Sequence, residues 1–173
     1  MKRVIVIGTT GSGKSTLAHR LAEKRGLKYI DLDNFHHMPG WKERPVEEFR
    51  SLVETATQAE KWVIAGNYSK SQNITWPKAD TLIWLDISFW LNFWQLLRRS
   101  FRRIYMREMI CNGNKENLGK LLSKDSILWW FLKTWHKNRK RYGSIFDSPK
   151  DYPHLNLIRL TSYQQSNEFI RQA

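Results

Sequence analysis

One stretch near the start of the chain reads Val4-Ile5-Val6-Ile7-Gly8-Thr9-Thr10-Gly11-Ser12-Gly13-Lys14-Ser15-Thr16. Its first four residues are β-branched, as is typical of a strand buried on both faces. Residues 8–15 fit the phosphate-binding pattern G-x-x-x-x-G-K-[ST]. Residues 15–25 have the apolar spacing of a helix, with one side formed by Leu17, Ala18, Leu21 and Ala22. The sequence therefore predicts a strand, a phosphate loop and a helix, in the order that phosphate binding requires.

The glycines of this loop indicate a backbone that wraps around an anion. Without a Cβ, they allow successive N–H groups to point at phosphate oxygens, and the following helix adds its positive end. Lys14 is predicted to reach the β- and γ-phosphates, and the Ser15 hydroxyl to hold Mg²⁺. A bare turn without a ligand would explain neither side chain. We therefore expect ATP and Mg²⁺ as cofactors, with ATP bound by Gly8, Thr9, Thr10, Gly11, Ser12, Gly13, Lys14, Ser15 and Thr16.

The composition is that of a folded protein. The chain has 173 residues, of which 41% are hydrophobic and 26% charged, so we expect a single domain over residues 1–173. A strand follows the first residues directly, without a signal peptide, and the longest apolar stretch is interrupted by polar side chains. The single cysteine, Cys111, excludes an internal disulfide framework and a cysteine-cluster zinc site. These observations predict a cytoplasmic protein.

Most of the positive charge lies in the middle of the chain. The net charge is +13, and residues 98–141 hold 13 basic and 3 acidic side chains, which is +10 of that total. Such a block can form a nucleic-acid surface, an arginine-rich cover over bound phosphates, or the solvated face of long helices.

Spacing favours an arginine-rich cover. Arg98 and Arg102 are four residues apart, as are Arg99 and Arg103, so each pair projects from one side of a helix. The polar stretch 107–124 is typical of a mobile flap. These segments predict a lid over the triphosphate, formed by about residues 98–141.

The rest of the chain alternates between strand and helix patterns. Further strands are predicted at 28–30, 62–65, 81–85 and 154–160, and helices at 45–60, 89–103, 125–141 and 163–171. Strands separated by helices indicate an α/β fold with a parallel sheet covered on both faces. Ligands of such sheets bind at the carboxyl ends of the strands.

Polar residues follow three of these strands. Asp31 and Asp33 follow the second strand, Asn67 and Tyr68 the third, and Asp86 the fourth. We expect them to meet at the edge that holds the phosphate loop. Asp33 is predicted to orient an acceptor hydroxyl or a water on Mg²⁺, with a helix N-cap or turn as the structural alternative. Asp31 is nearly as good a candidate, and the sequence leaves the choice open.

Histidines and aromatic residues follow the acidic turn. His36 and His37 look like a metal pair, but adjacent loop residues seldom face one ion and no third ligand is apparent. We therefore expect His36 to contact the substrate. Trp41, Tyr68 and Trp76 could form a stacking surface for a base or sugar. The tryptophans in apolar runs are predicted to be core residues, namely Trp84, Trp90, Trp94, Trp129, Trp130 and Trp135.

Taken in order, these features resemble a known family. The phosphate loop, the acidic turn, Gly66-Asn67-Tyr68, Leu82-Ile83-Trp84-Leu85-Asp86 and the arginine-rich helix are similar to those of the adenylate-kinase-related P-loop kinases. More closely, the chain resembles the small bacterial branch called DNA topology modulation proteins, over nearly its whole length. The resemblance implies a three-layer P-loop NTPase fold of the nucleoside-monophosphate-kinase type, a five-stranded sheet of order 2-3-1-4-5, ATP and Mg²⁺ binding, and an arginine-rich lid.

Residue patterns and resemblance together suggest roles for individual side chains. The catalytic residues would be Lys14, Asp33, Arg99 and Arg103, and the metal would be held by Ser15 and Asp33. The acceptor would be contacted by Asp31, Asp33, His36, Trp41, Asn67 and Tyr68.

The chain also departs from the family pattern. Adenylate kinases carry Asp-Gly-Phe-Pro-Arg after the third strand, where this chain has Ala65-Gly66-Asn67-Tyr68-Ser69, so the motif for an AMP phosphate is missing. Relatives in the closer branch often have Asp where Ala65 stands. The acidic turn followed by His36 also resembles gluconate and shikimate kinases, whose acceptors are small hydroxylated acids.

Three functions fit these patterns. The first is an ATP-dependent kinase acting on a nucleotide, a nucleoside or a small hydroxylated acceptor. The second is an ATP-switched nucleic-acid-binding regulator that contacts DNA or RNA through residues 98–141. The third is a nucleotide-binding protein without transfer activity, which Ala65 favours.

Overall fold

The structure of the protein, a computed structural model, describes residues 1–115 and 126–173. Its central sheet contains β1 (Arg3–Gly8), β2 (Lys28–Asp31), β3 (Trp62–Ala65), β4 (Thr81–Leu85) and β5 (Asn156–Leu160). The strands lie in the order β2-β3-β1-β4-β5, and all neighbours are parallel. The predicted α/β fold with strand order 2-3-1-4-5 is confirmed.

Helices connect the strands and cover the sheet. They are α1 (Lys14–Arg25), α2 (Leu32–His36), α3 (Val46–Ala56), α4 (Gln72–Thr75), α5 (Phe89–Tyr105), α6 (Ile127–Asp147) and α7 (Tyr163–Gln172). Short 3₁₀ turns occur at Pro39–Trp41, Ser69–Ser71 and Pro149–Asp151. No helix in the described ranges is long and apolar enough to cross a membrane.

Two small antiparallel hairpins lie outside the main sheet. The first pairs His37–Met38 with Lys42–Glu43. The second pairs Met109–Ile110 with Asn114–Lys115, and we call residues 109–115 the lid hairpin. It lies within the polar stretch that the sequence indicates as a flap. Residues 116–124 of that stretch, and the predicted helix start at Asp125, lie outside the described residues.

Alternate side chains of β1 enter different cores. Ile5 belongs to a buried cluster with Phe49 and Trp84 on one face of the sheet. Val4 belongs to a second cluster with Leu17 on the other face. Because both faces are covered, the carboxyl ends of the strands are the exposed edge on which a site can form.

The core prediction for the tryptophans is wrong at four of six positions. Trp84 and Trp135 are buried, but Trp90, Trp94, Trp129 and Trp130 are 69%, 62%, 42% and 60% exposed. The reason is that α5 and α6 pack on each other only through a small cluster centred on Leu96 and Phe131. The four exposed tryptophans lie on other faces of these helices, so this contact does not bury them. An apolar run alone does not show which face is covered.

Trp76 also departs from its prediction. It is 9% exposed and packs in the core against Tyr152, with ring centroids 5.3 Å apart. It therefore does not form the stacking surface that the sequence suggests for Trp41, Tyr68 and Trp76.

Candidate functional site

A large cleft of about 1810 Å³ opens at the carboxyl edge of the sheet. Its walls come from the phosphate loop, the segments after β2 and β3, the lid hairpin, and helices α5 and α6. Most of the residues that the sequence singles out line this cleft, namely Thr10, Gly11, Gly13, Lys14, Ser15, Thr16, Asp31, Asp33, His36, Trp41, Asn67, Tyr68, Arg99 and Arg103. Gly8, Thr9 and Ser12 of the loop are buried and do not line the cleft.

The phosphate loop is tightly packed at Gly11 and ends at Gly13. Both have positive φ, of 81° and 90°. A Cβ on Gly11 would lie 2.9 Å from Leu96 Cβ of α5, which is too close for any side chain. Gly13 is the N-cap of α1 and provides no side-chain hydrogen bond to it. The first-turn N–H groups of α1 can therefore bind an anion.

Lys14 lies at the centre of the charges in the cleft. Its Nζ donates to Thr9 O at 3.3 Å. Burial of the ammonium lowers the pKa of Lys14, the nearby Asp33 carboxylate opposes that change, and Arg99 lowers the pKa further. An anionic ligand between Lys14 and Arg99 would offset both unfavourable effects.

The structure separates the two carboxylates of the acidic turn. Asp31 caps α2, because its Oδ1 accepts from Asp33 N at 3.0 Å and its Oδ2 accepts from the Tyr29 hydroxyl at 3.1 Å. Burial, and then the charge of Asp33, raise the pKa of Asp31. Asp33 Oδ1 accepts from the Tyr68 hydroxyl at 2.8 Å. Asp31 thus performs the capping role that the sequence gives as an alternative for Asp33, and Asp33 projects from the first turn of α2.

Asn67 supports the start of the phosphate loop. Its Oδ1 accepts from Gly8 N at 3.2 Å, and its Nδ2 donates to Gly8 O. This pair of hydrogen bonds joins the segment after β3 to the end of β1. Contact between Asn67 and an acceptor, which the sequence suggests, stays a prediction.

His36 lies in a group of aromatic rings at the wall of the cleft. It is 6% exposed, and its ring centroid is 4.6 Å from that of Tyr68 and 5.6 Å from that of Phe49. Its Nε2 is 3.6 Å from a Glu43 carboxylate oxygen, while its buried Nδ1 has no hydrogen-bond partner. Burial, and then the neighbouring His37, lower the pKa of His36, which favours the neutral ring.

The residues at the cleft fit a magnesium nucleotide. Ser15 and Asp33 both line it, and both offer oxygen atoms, which Mg²⁺ prefers. Mg²⁺ usually needs only one or two protein oxygens, since phosphates and waters supply the rest. Among the residues that the structure describes, no group of three or more His, Cys, Asp or Glu could hold a metal ion without such help.

Helix α5 presents a row of arginines to the cleft, namely Arg98, Arg99, Arg102 and Arg103. Glu108, just beyond α5, lies 3.2 Å from Arg102 Nε and 4.0 Å from Arg103 Nε. Arginine side chains held in this way are suited to phosphate or carboxylate groups.

Asp86 does not join the cleft, contrary to the sequence prediction. It is 7% exposed and binds Arg159 at 2.6 Å and Arg139 at 3.1 Å. The reason is the strand order, because β5 lies beside β4 and brings Arg159 alongside the carboxylate. This network fastens α6 to the sheet.

Some cleft residues have no signal in the sequence. Trp130, predicted to be core, lines the cleft on α6, and Glu43 and Lys70 line its opposite side. Asn112 and Asn114 of the lid hairpin hydrogen bond to the segment after β2, more than 70 residues away in the chain. Such long-range contacts leave no local pattern.

Comparison with known proteins gives two sequence relatives, while no family model matches the chain. The uncharacterised protein YqaC of Bacillus subtilis (strain 168) is 28% identical over 121 residues, which cover 69% of this chain and 67% of that protein. A shikimate kinase of Sulfurihydrogenibium sp. (strain YO3AOP1) is 30% identical over 103 residues, which cover 51% of this chain and 62% of the kinase.

Two solved structures are similar over most of their length. A sugar kinase from Janibacter sp. HTCC2649 has a TM-score of 0.54 and 19% identity, with 99% of this chain and 91% of that chain covered. Shikimate kinase from Acinetobacter baumannii, solved with shikimate, has a TM-score of 0.59 and 14% identity, with 99% and 90% covered. Membership of the DNA topology modulation branch stays a prediction. With the phosphate loop and the strand order, these similarities show that the chain has the fold of the P-loop kinases.

Proposed function

We propose that this protein is a kinase that transfers the γ-phosphoryl group of MgATP to a hydroxyl of a small acceptor. The observation that carries this proposal is that one cleft holds both Lys14 of the phosphate loop and Asp33 of the acidic turn. Transfer to a hydroxyl acceptor needs, in addition to the phosphate loop, a carboxylate that can reach that acceptor.

The phosphate loop and α5 would bind the triphosphate from two sides. Backbone N–H groups at the start of α1 and the Lys14 ammonium would hold the β- and γ-phosphates. Arg99 and Arg103 of α5, the helix that packs against the loop at Gly11, would neutralise the charge that develops during transfer. Ser15 would hold Mg²⁺, with Asp33 contacting it through a water, and the ion would supply positive charge that offsets the charge of the phosphates.

Asp33 and Tyr68 would form the acceptor side. Asp33 would take the proton from the acceptor hydroxyl as its oxygen bonds to the γ-phosphorus, while the bond from that phosphorus to the β–γ bridging oxygen breaks and ADP leaves. The Tyr68 hydroxyl fixes the carboxylate through its 2.8 Å hydrogen bond to Oδ1. Oδ2 would then face the hydroxyl.

The branch that the chain resembles often has Asp where this chain has Ala65, yet a carboxylate lies beside Ala65. Asp31 is the register partner of Ala65 in the pairing of β2 with β3. The Asp31 carboxylate therefore places a negative charge beside position 65 and close to Asp33. We propose that Asp33 and Asp31 supply the local charge that position 65 lacks.

Measuring ADP formation from MgATP with a panel of acceptors tests the proposal. The panel consists of shikimate, gluconate and the four ribonucleoside monophosphates. We expect one member to raise ADP formation at least about 100-fold above ATP alone, since a bound acceptor places its hydroxyl next to the γ-phosphate. ³¹P NMR should detect the phosphorylated acceptor. Tight ATP binding without transfer to any small hydroxyl compound would instead favour the nucleotide-binding protein without transfer activity.

Replacing Tyr68 should slow transfer without weakening ATP binding. Tyr68→Phe keeps the ring that packs on His36 but removes the donor to Asp33. We expect kcat to fall about 10- to 150-fold, which corresponds to the loss of one hydrogen bond to a charged group. Calorimetry with a non-hydrolysable ATP analogue should give a Kd within about twofold of the wild type, since Tyr68 is not part of the phosphate loop. An unchanged kcat would contradict the orienting role.

A further inference from the structure

The lid hairpin is joined to the segment after β2 by two asparagine side chains. Asn112 Nδ2 donates to Asn34 O at 2.7 Å and to His37 O at 2.6 Å. Asn114 Nδ2 donates to Met38 O at 3.0 Å. These bonds connect the hairpin that follows the arginine-bearing helix with the segment that carries the acceptor-side histidines.

Asn114 also holds the backbone of Trp41. Its Oδ1 accepts from Trp41 N at 2.8 Å, and Asn114 is only 4% exposed. Trp41 has φ of 60°, a left-handed conformation that a bulky residue adopts only when its surroundings impose it. The hydrogen bond from Trp41 N to Asn114 is therefore in a position to stabilise this conformation.

Backbone strain concentrates at this junction. Besides Trp41, Cys111 and Asn112 have positive φ, of 42° and 64°. Both lie in the turn of the lid hairpin, and both the Trp41 and Cys111 side chains line the cleft. Strained residues on both sides of one contact, next to a cleft, point to a functional constraint on that contact.

We propose that Asn114 is a positioning residue that holds Trp41 at the wall of the cleft, where its indole packs on the ring of the acceptor, and that Asn112 fixes the neighbouring backbone at His37. The proposal rests on the proposed kinase function and narrows its acceptor to a compound with a ring. Trp41 lies beside His37, with ring centroids 5.5 Å apart, so the two rings form an aromatic corner. A flat or apolar ring face fits such a corner better than an open-chain polyol does.

Kinetics of single and double variants test this role. With the ring-bearing panel member of highest kcat/KM, shikimate or a ribonucleoside monophosphate, Asn114→Ala should raise the acceptor KM about tenfold and change kcat less than about threefold. Trp41→Ala should raise KM by a similar factor. The double variant should be no worse than the poorer single one, because Asn114 acts through Trp41. Asn114→Asp keeps an acceptor for Trp41 N and should recover part of the loss.

Asn167→Ala is the matched control, because Asn167 also joins two segments through its side chain, at 2.6 Å from Arg20, but far along the chain from the acceptor segment. This variant should leave the KM for the acceptor and the KM for ATP unchanged. Three outcomes would each overturn the proposal. The first is fully additive losses in the double variant, and the second is a loss of ATP affinity in Asn114→Ala as large as its loss of acceptor affinity. The third is that gluconate is the best acceptor.

Hydrogen exchange tests the positioning without any acceptor. The Trp41 amide should exchange at least about tenfold faster in Asn114→Ala than in the wild type, because the variant removes its hydrogen-bond partner. Unchanged exchange would overturn the positioning role even if the kinase activity is found. Failure of the whole acceptor panel together with faster exchange would refute the proposed acceptor and kinase function, while leaving the contact between Asn114 and Trp41 established.

Discussion

Lys14→Met will weaken ATP binding about 100-fold, or ~3 kcal/mol, and reduce kcat about 1000-fold further. Methionine keeps the aliphatic stem and removes only the ammonium, which would contact the β- and γ-phosphates. Calorimetry with a non-hydrolysable ATP analogue and Mg²⁺ measures the first effect, and acceptor-dependent ADP formation measures the second.

The pH dependence of binding gives an independent readout for Lys14. Burial lowers the pKa of Lys14 in the free protein, and a bound polyphosphate favours the charged form. Binding therefore takes up a proton when the pH lies near or above that lowered pKa. ATP affinity should be full below it and should fall as pH rises through it, and this decline should be absent in Lys14→Met.

Lys150→Met serves as the control, because Lys150 is exposed in the 3₁₀ turn Pro149–Asp151, away from the cleft. It should bind ATP as the wild type does. Wild-type ATP affinity in Lys14→Met would refute the assignment of the phosphate loop. Thermal unfolding of both variants distinguishes a binding defect from a folding defect.

Asp33→Asn should abolish most transfer while leaving ATP bound. The amide cannot take a proton from the acceptor, so we expect kcat to fall about 100- to 10,000-fold, the range for loss of a general base. The Kd of the ATP analogue should change less than about threefold, because the phosphates are held mainly by the loop and Lys14.

Asp31→Asn is the sharpest control for this prediction. Asparagine is as good an N-cap as aspartate, so α2 should keep its start and kcat should fall less than about tenfold. A larger loss in Asp31→Asn than in Asp33→Asn would reverse the assignment of the two carboxylates. Equal and small losses would show that neither acts as the base.

The basic block of residues 98–141 is less available to nucleic acid than its charge indicates. Four of its arginines line the cleft, Arg139 binds Asp86, and Arg141 donates to Gln72 at 2.6 Å. These contacts use side chains that a phosphate backbone would need. A nucleic-acid partner stays a prediction, and among the described residues of this block the exposed lysines of α6 could bind it.

The first strand, the phosphate loop and α1 could be predicted because their signals are local. A β-branched run, a fixed pattern of glycines and an apolar helix face occupy fewer than 25 consecutive residues. The strand order is a different case, since it follows from the family resemblance and from no pattern in the chain. The confirmed topology thus rests on two separate kinds of inference.

The predictions that the sequence left open or got wrong depend on contacts between distant segments. Which of Asp31 and Asp33 caps α2 is decided by the backbone at that turn and by Tyr68, 35 residues further along from Asp33. Whether Trp94 is buried depends on how α5 meets α6. Asp86 lies outside the cleft because β5, which begins 70 residues later in the chain, lies beside β4 and brings Arg159 next to it. Sequence periodicity contains none of this information.

The close contact between Gly11 and Leu96 affects how such a protein could change its substrate. Helix α5 touches the back of the phosphate loop at Leu96 and presents Arg99 to the front, three residues or about 4.5 Å along one rigid axis. In the proposed kinase, a single helix would therefore set the spacing between the phosphate loop and the arginines that hold the triphosphate. Acceptor choice would depend on two other short segments, residues 34–43 and 109–115, where substitutions could accumulate without disturbing ATP binding.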